Sequence, residues 1–388
     1  MRRILIVGGG FAGVSAANAI AAGLSPRRRI QVQLVSDSAH FTFTPLLPAV
    51  ASGSLDPASI QVPLHDALGD QVEFEMDRIE TIDLSEKVAH GAFEHPWDYL
   101  IVAPGSVPSL PSDAWESSVQ SFGSATDAIA IRETLIHLTQ TPEHSDAPLR
   151  IVVIGGGPTG VALAAELQSF LFDELIQDSR AREAAEVLIV EQEGNLLPSL
   201  PTQMRELTER HFKAKNIQLL KGQAHSPFAG GIHVDNTRIE AQLVIWCGGV
   251  KPSPLLEQIQ LPRADDGRLV VDENMRAQFG IYAVGDAAHS DCPWSAQVAI
   301  QQAQVAAHNA LSDAYGRSHR TFSYSYTGDI LTLGRSNAAV FYQGFAFEGK
   351  AAQTLFRVIY AAQIPTSVQK LRVLRDWMGA RRGARALI

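Results

Sequence analysis

Two glycine fingerprints, each set between a short apolar run and an alanine-rich stretch, predict an α/β protein with two Rossmann-like dinucleotide-binding domains. The first, Gly8-Gly9-Gly10-Phe11-Ala12-Gly13, follows Ile4-Leu5-Ile6-Val7, and the second, Gly155-Gly156-Gly157-Pro158-Thr159-Gly160, follows Ile151-Val152-Val153-Ile154. A strand running into a glycine turn recurs on either side of the second fingerprint, at Trp97–Ser106 and at Gly280–Asp286. That recurrence predicts a second domain inserted within the first. The chain ends in a C-terminal α+β segment with an amphipathic helix. The expected divisions are residues 1–109 (first domain), 110–244 (second domain), 245–320 (return to the first) and 321–388 (C-terminal segment).

In the first domain, strand Ile4–Val7 leads through the glycine turn into a helix over Ala12–Ala22. A Gly-Leu-Ser-Pro break separates that helix from a strand over Ile30–Val35. Within a fingerprint the glycines allow a tight turn, close approach to a pyrophosphate and close helix packing. The helix N-terminus then offers unpaired N–H groups and a positive dipole end to the phosphates. Gly8, Gly10, Phe11, Ala12 and Gly13 are therefore the first candidate contacts. The acidic ribose ligand that usually ends the second strand is missing, because Ser36 stands there, and Asp37 next to it is the candidate. Polar stretches at Ser106–Ser118 and Thr139–Pro148 bracket a helix leading to the second domain.

There the helix starts at Pro158, runs to about Gln177 and is expected to continue toward Ala185. Gly155, Gly157, Pro158, Thr159 and Gly160 are the phosphate contacts. Strand Val187–Val190 ends in Glu191, whose carboxylate would bind ribose hydroxyls and repel a 2′-phosphate. NADH is thus favoured, with NADPH left open. Two such sites in one chain imply FAD and a nicotinamide held face to face, hence electron transfer. Strand Leu243–Trp246 runs into Cys247-Gly248-Gly249-Val250, and the Gly285-Asp286 turn would place a carboxylate and a backbone N–H near a flavin's ribityl chain. Gln297 and Gln301 lie four apart on one helix face and could hydrogen-bond a carbonyl acceptor.

The tail carries Val368, Leu371, Leu374, Trp377 and Met378 at helical spacing beside Lys370, Arg372 and Arg375. From Lys350 onward eight basic residues face one acidic residue, although the whole chain is −9. A basic amphipathic helix on an acidic body suits an anionic lipid surface. Its alternatives are packing on its own domain or a dimer interface.

With 388 residues, 46% of them hydrophobic, the chain has ample core for two or three domains. Two cysteines without a CxxC exclude a disulfide framework, a cysteine zinc site and a closely spaced redox pair, and suggest a reducing, intracellular compartment. Cys247 reads as a core residue and Cys292 as structural. The 12 histidines show no metal spacing, so no metal is expected. No P-loop, glycosidase carboxylate pair or nucleic-acid motif is present. No signal peptide or transmembrane run is expected.

Together these motifs resemble the two-dinucleotide-binding flavoprotein reductases and, more narrowly, the type II NADH:quinone oxidoreductase family. The resemblance also covers His40–Gly53 with Thr44-Pro45-Leu46-Leu47-Pro48, the stretch Asp98–Ser106, and Ala296-Gln297-Val298-Ala299-Ile300-Gln301-Gln302, which matches that family's quinone-site pattern. Phe322, Tyr324, Gly328, Leu333, Gly334 and Arg335 match its C-terminal domain. It implies FAD contacts from Pro45, Leu46, Ala103, Gly105, Gly285, Asp286, Ala296, Gln297 and Val298, and an NADH contact from Gly249. It further implies hydride transfer from NADH to FAD and two-electron reduction of a membrane quinone of the ubiquinone, menaquinone or phylloquinone type. Gln301 and Gln302 would border the quinone and Gln297 would support their helix. The protein would be a peripheral membrane homodimer on the cytoplasmic face or its organelle equivalent, without proton pumping.

Three positions depart from the family pattern. Ala162 replaces a glutamate of a proton or charge relay, Ser36 an acidic ribose ligand, and Pro104 a threonine. A divergent demethylphylloquinone or other naphthoquinone reductase branch accommodates them. Sulfide:quinone oxidoreductase is disfavoured by its cysteine requirement. The remaining alternatives are a soluble NADH-dependent reductase of a protein acceptor and an NADH-sensing flavoprotein.

Overall fold

The computed structural model describes residues 2–25, 29–140, 149–172 and 185–379. The expected helix continuation toward Ala185, most of the Thr139–Pro148 stretch, and Arg381, Arg382 and Arg385 lie outside the described residues. The chain forms two compact units: one comprises Met1–Thr42, Gln61–Val107 and Val250–Tyr326, and the other comprises Phe43–Ile60, Pro108–Gly249 and Thr327–Ile388.

The first unit opens with β1 (Arg2–Val7), α1 (Phe11–Gly23), β2 (Ile30–Ser36), β3 (Val72–Met76) and β4 (Tyr99–Val102). β1 pairs in parallel with β2 on one side, Ile4 opposite Val32, and with β4 on the other, Ile4 opposite Tyr99. Ile4, Leu5, Ile6, Leu100, Ile101 and Val102 are buried. Their unbroken apolar run is what a parallel strand covered on both faces requires.

The segment Phe43–Ile60, which includes α2 (Leu47–Ala51), belongs to the second unit. That unit continues with α3 (Ala125–Gln140), β5 (Arg150–Ile154), α4 (Pro158–Phe170), β6 (Glu186–Glu191), α5 (Thr202–Ala214), β7 (Ile217–Lys221) and β8 (Leu243–Trp246). β5 is flanked in parallel by β6 and β8, in the same relation that β1 has to β2 and β4. Val152, Ile154, Leu188, Val190 and Val244 form its core with Trp115 and Ile232.

The first unit is completed by β9 (Arg276–Gln278), β10 (Ile281–Ala283) and α6 (Ala296–Tyr315). Its sheet order is β9-β10-β4-β1-β2-β3, parallel except for β9. The second unit ends with the antiparallel meander β11 (Asp329–Thr332), β12 (Ala338–Tyr342) and β13 (Phe345–Glu348), then α7 (Lys350–Gln363) and α8 (Ser367–Gly379).

α8 has two apolar faces. Val373 and Trp377 are buried, Trp377 against Phe356, whereas Val368, Leu371, Leu374 and Met378 are exposed. Trp377 thus turns inward rather than sharing the outer stripe that its helical spacing suggests. Ser59 Oγ donates to Asp376 Oδ2 at 2.6 Å and ties the helix to its unit.

Candidate functional site: two nucleotide cradles and a polar cleft

In each fingerprint the outer glycines are demanded by the protein itself. A Cβ on Gly8 would lie 2.0 Å from Ala103 O, and one on Gly13 would lie 1.8 Å from Gly8 O. In the second unit, a Cβ on Gly155 would lie 2.4 Å from Cys247 O, and one on Gly160 would lie 2.0 Å from Gly155 O. The middle glycines differ. A Cβ on Gly10 or Gly157 would meet nothing within 4 Å, and the same holds for Gly105 and Gly249 on the neighbouring strand ends. Backbone conformation accounts for Gly105 and Gly249, whose φ values are +74° and +125°; neither packing nor φ explains Gly10 and Gly157, where close approach of a ligand would. Gly10 and Gly157 are also the N-caps of α1 and α4; neither helix has a side-chain cap or an acidic residue in its first turn. Both helices present uncapped N–H groups to that space.

The two cradles diverge at the ribose position. Glu191 Oε2 accepts a hydrogen bond from the Gly156 N–H at 2.6 Å. In the first unit the matching place beside Gly9 is taken by Ser36, whose Oγ would lie 2.7 Å from a Cβ there. Asp37 is exposed one residue farther on. Pro158 and Thr159 open α4, and Phe11 and Ala12 open α1, Phe11 edge-on to Phe41 at 4.9 Å. Cys247 packs at the foot of the second cradle, where burial pushes its thiol up and away from nucleophilic chemistry.

The strand ends of the first unit converge on α1. A Cβ on Gly285 would lie 3.3 Å from both Ala12 and Ala299. Asp286 Oδ2 accepts from Ser106 Oγ at 2.6 Å. Gly285, Asp286 and Val298 line one cleft with Arg268 and Trp294, so three expected flavin contacts meet there. The Arg268 guanidinium stacks on the Trp294 ring at 4.9 Å and pairs with Asp266 at 2.7 Å. Burial alone would raise Asp266, but the Arg268 and His289 hydrogen bonds outweigh it and hold the carboxyl near 2.

The glutamines of α6 are engaged within the unit. Gln302 is fully buried; its Oε1 accepts from Gly285 N–H at 2.8 Å and its Nε2 donates to Ser290 Oγ at 3.2 Å. Gln301 clamps the Ser325 backbone, donating to its carbonyl and accepting from its N–H, each at 2.9 Å. Gln297 Oε1 accepts from the Tyr324 hydroxyl at 3.4 Å. Gln302 is therefore a positioning residue for the Gly285-Asp286 turn. Ala296 starts α6, and Ser295 Oγ caps it by accepting from Val298 N–H at 3.3 Å.

Pro45 and Leu46 line a cleft within the second unit, together with Glu166, Thr332, Arg335 and Gln353. Ala162 is buried on α4, and Glu166 lies one turn on. Burial drives the Glu166 carboxyl above the ordinary glutamate range, against the pull of Ser52, Thr332, Arg335 and Ser54. Sequence reading passed over this residue inside an alanine-rich helix. The available signal was a lone carboxylate in the run Val161-Ala162-Leu163-Ala164-Ala165-Glu166-Leu167.

With this geometry in place, the model of the family described as pyridine nucleotide-disulphide oxidoreductase matches residues 2–310. A type II NADH:quinone oxidoreductase of Mycobacterium tuberculosis is 26% identical, covering 98% of this chain and 89% of the relative. A demethylphylloquinone reductase of Synechocystis is 26% identical over 97% of this chain and 95% of the relative. Among solved structures, NDH2 from Plasmodium falciparum in complex with NADH has the same fold, with a TM-score of 0.89 at 19% identity, covering 100% of this chain and 99% of that chain.

Proposed function

Since the chain belongs to the pyridine nucleotide-disulphide oxidoreductase family, we propose that it is an FAD-dependent NAD(P)H:quinone oxidoreductase of the type II NADH dehydrogenase kind. We assign FAD to the unit holding Gly8–Gly13 and the nicotinamide to the unit holding Gly155–Gly160. The observation that carries this reading is the pair of open middle glycines, Gly10 and Gly157, at uncapped helix N-termini. Full-length similarity to quinone reductases in two organisms supports the choice of acceptor.

Bound FAD supplies the two-electron carrier between nicotinamide and quinone. The chain's own residues bind and orient. The N–H groups of the α1 and α4 first turns hold pyrophosphates. Glu191 takes ribose hydroxyls and disfavours a 2′-phosphate. Asp286, steadied by Ser106, and the turn locked by Gln302 position the flavin's polar chain. Gln301 and Gln297 fix the loop around Tyr324. The exposed apolar stripe of α8 with Lys370, Arg372 and Arg375 supports peripheral attachment to an anionic membrane. A homodimer belongs to the proposal on the resemblance alone.

The paired cradles make an asymmetric test. Gly10→Val is expected to yield protein without flavin. Gly157→Val is expected to retain flavin absorbance and lose NADH binding. Unchanged flavin content in the first, or unchanged NADH affinity in the second, overturns the assignment.

A further inference from the structure

Glu166 lies on α4 and is only 3% exposed. Thr332 Oγ1 reaches its Oε1 at 3.0 Å, and Ser52 and Ser54 Oγ reach its Oε2 at 3.0 and 3.4 Å. A purely structural carboxylate would need those hydroxyls as fixed donors. Here they have alternatives. Ser52 Oγ is also 3.2 Å from Ala49 O, and Thr332 Oγ1 is 3.2 Å from Gly334 O. With Glu166 ionised, both hydroxyls donate to it. With Glu166 neutral, its own O–H donates to one of them, which turns to its backbone carbonyl. No buried polar group is stranded in either state, so neither state bears the penalty of an unmade hydrogen bond.

Glu166 also lines the cleft of the second unit, whose apolar wall includes Leu46, Phe356 and Trp377. Two groups there suit a molecule that changes protonation. Gln353 is 7% exposed, and its Oε1 has no hydrogen-bond partner among the described residues. Its Nε2 is fixed on Arg335 O at 3.1 Å, which holds the amide in place as an acceptor. Arg335 donates to Ser52 O at 3.2 Å, placing a positive charge beside the hydroxyl relay.

We propose that Glu166 is the proton donor to a quinone headgroup seated in this cleft, with Ser52, Ser54 and Thr332 as its switchable partners. This deepens the function proposed above and rests on it. Reduction of a quinone to its quinol takes up two electrons and two protons. NADH supplies both electrons and one proton as hydride. The Glu166 O–H bond breaks and supplies the other proton as the second quinol O–H forms. The carboxylate left behind is held by the Ser52 and Thr332 hydroxyls beside Arg335, and regains a proton from water through Ser54. Quinone carbonyls accept from neutral Glu166, and quinol hydroxyls find an acceptor in Gln353 Oε1.

The test compares wild type with Glu166→Gln in two readouts. Infrared spectra of the purified protein at neutral pH should show a protonated-carboxyl band that shifts in deuterium oxide and is missing from E166Q. Turnover with NADH is then measured with a short-chain naphthoquinone and with ferricyanide, which accepts electrons without protons. The quinone-to-ferricyanide ratio should fall about a hundredfold in E166Q, the scale of lost general-acid catalysis. An absent band or an unchanged ratio overturns the role of Glu166. Wild type that reduces ferricyanide but no quinone instead fails the parent reading. If E166Q does not fold, Thr332→Val decides: the wild-type band should shift when that partner is removed, and a band that stays in place overturns the proposal.

Discussion

Glycine serves two purposes within each fingerprint, and only one of them concerns a ligand. Gly8, Gly13, Gly155 and Gly160 are pressed against backbone, so a methyl group there collides with the protein itself. Gly10 and Gly157 face open space. Sequence spacing groups the three glycines of a fingerprint together, and coordinates are needed to separate them. The ribose position shows a second asymmetry. Glu191 already spans to the Gly156 N–H, whereas Ser36 brings a neutral hydroxyl, not a charge, to the matching place. Replacing Glu191 with Ala should weaken NADH binding about tenfold to a hundredfold, the range for a charge-assisted hydrogen bond or two. Glu191→Arg should in addition shift preference toward NADPH. Titration of flavin fluorescence with each nucleotide measures both effects, and unchanged NADH affinity would remove Glu191 from the site.

At the scale of elements, the strand–turn–helix units were legible because parallel buried strands read as continuous apolar runs and the glycine spacing is rigid. Helix faces were less legible. The spacing of Val368, Leu371, Leu374, Trp377 and Met378 marks α8 as amphipathic, but periodicity cannot tell that Trp377 packs inward on Phe356 while Leu371 and Met378 stay exposed. The α6 glutamines illustrate the same limit. Their spacing places Gln297 and Gln301 on one face, yet which groups their amides engage depends on a loop more than twenty residues on, Ser325 backbone for Gln301 and the Tyr324 hydroxyl for Gln297. Glu166 was hidden for a related reason: its partners Ser52 and Thr332 are far along the chain, so local pattern carries no trace of the cluster.

Among the described residues no helix is long and apolar enough to cross a membrane. Attachment through α8 would therefore depend on surface burial, at about 1.5–3 kcal/mol per fully buried large apolar side chain, and on charge, at about 1 kcal/mol per basic residue. Leu371→Glu with Met378→Glu is expected to abolish co-sedimentation with anionic vesicles. Retained binding would contradict the anchor.

At the scale of the molecule, two compact units each carry a parallel sheet, a fingerprint helix and an open cradle at the carboxyl ends of the strands, where α/β sheets bind ligands. The second unit also carries two C-terminal helices and a polar cleft built around a buried carboxyl. Duplication of the cradle fits the two nucleotides proposed above. The measurement that tests this most directly is stopped-flow absorbance near the flavin maximum, mixing purified protein first with NADH and then with ubiquinone, menaquinone or phylloquinone analogues. The account expects rapid bleaching by NADH followed by rapid recovery on quinone. Bleaching that no quinone reverses would contradict it and leave a protein-acceptor reductase or an NADH-sensing flavoprotein in its place.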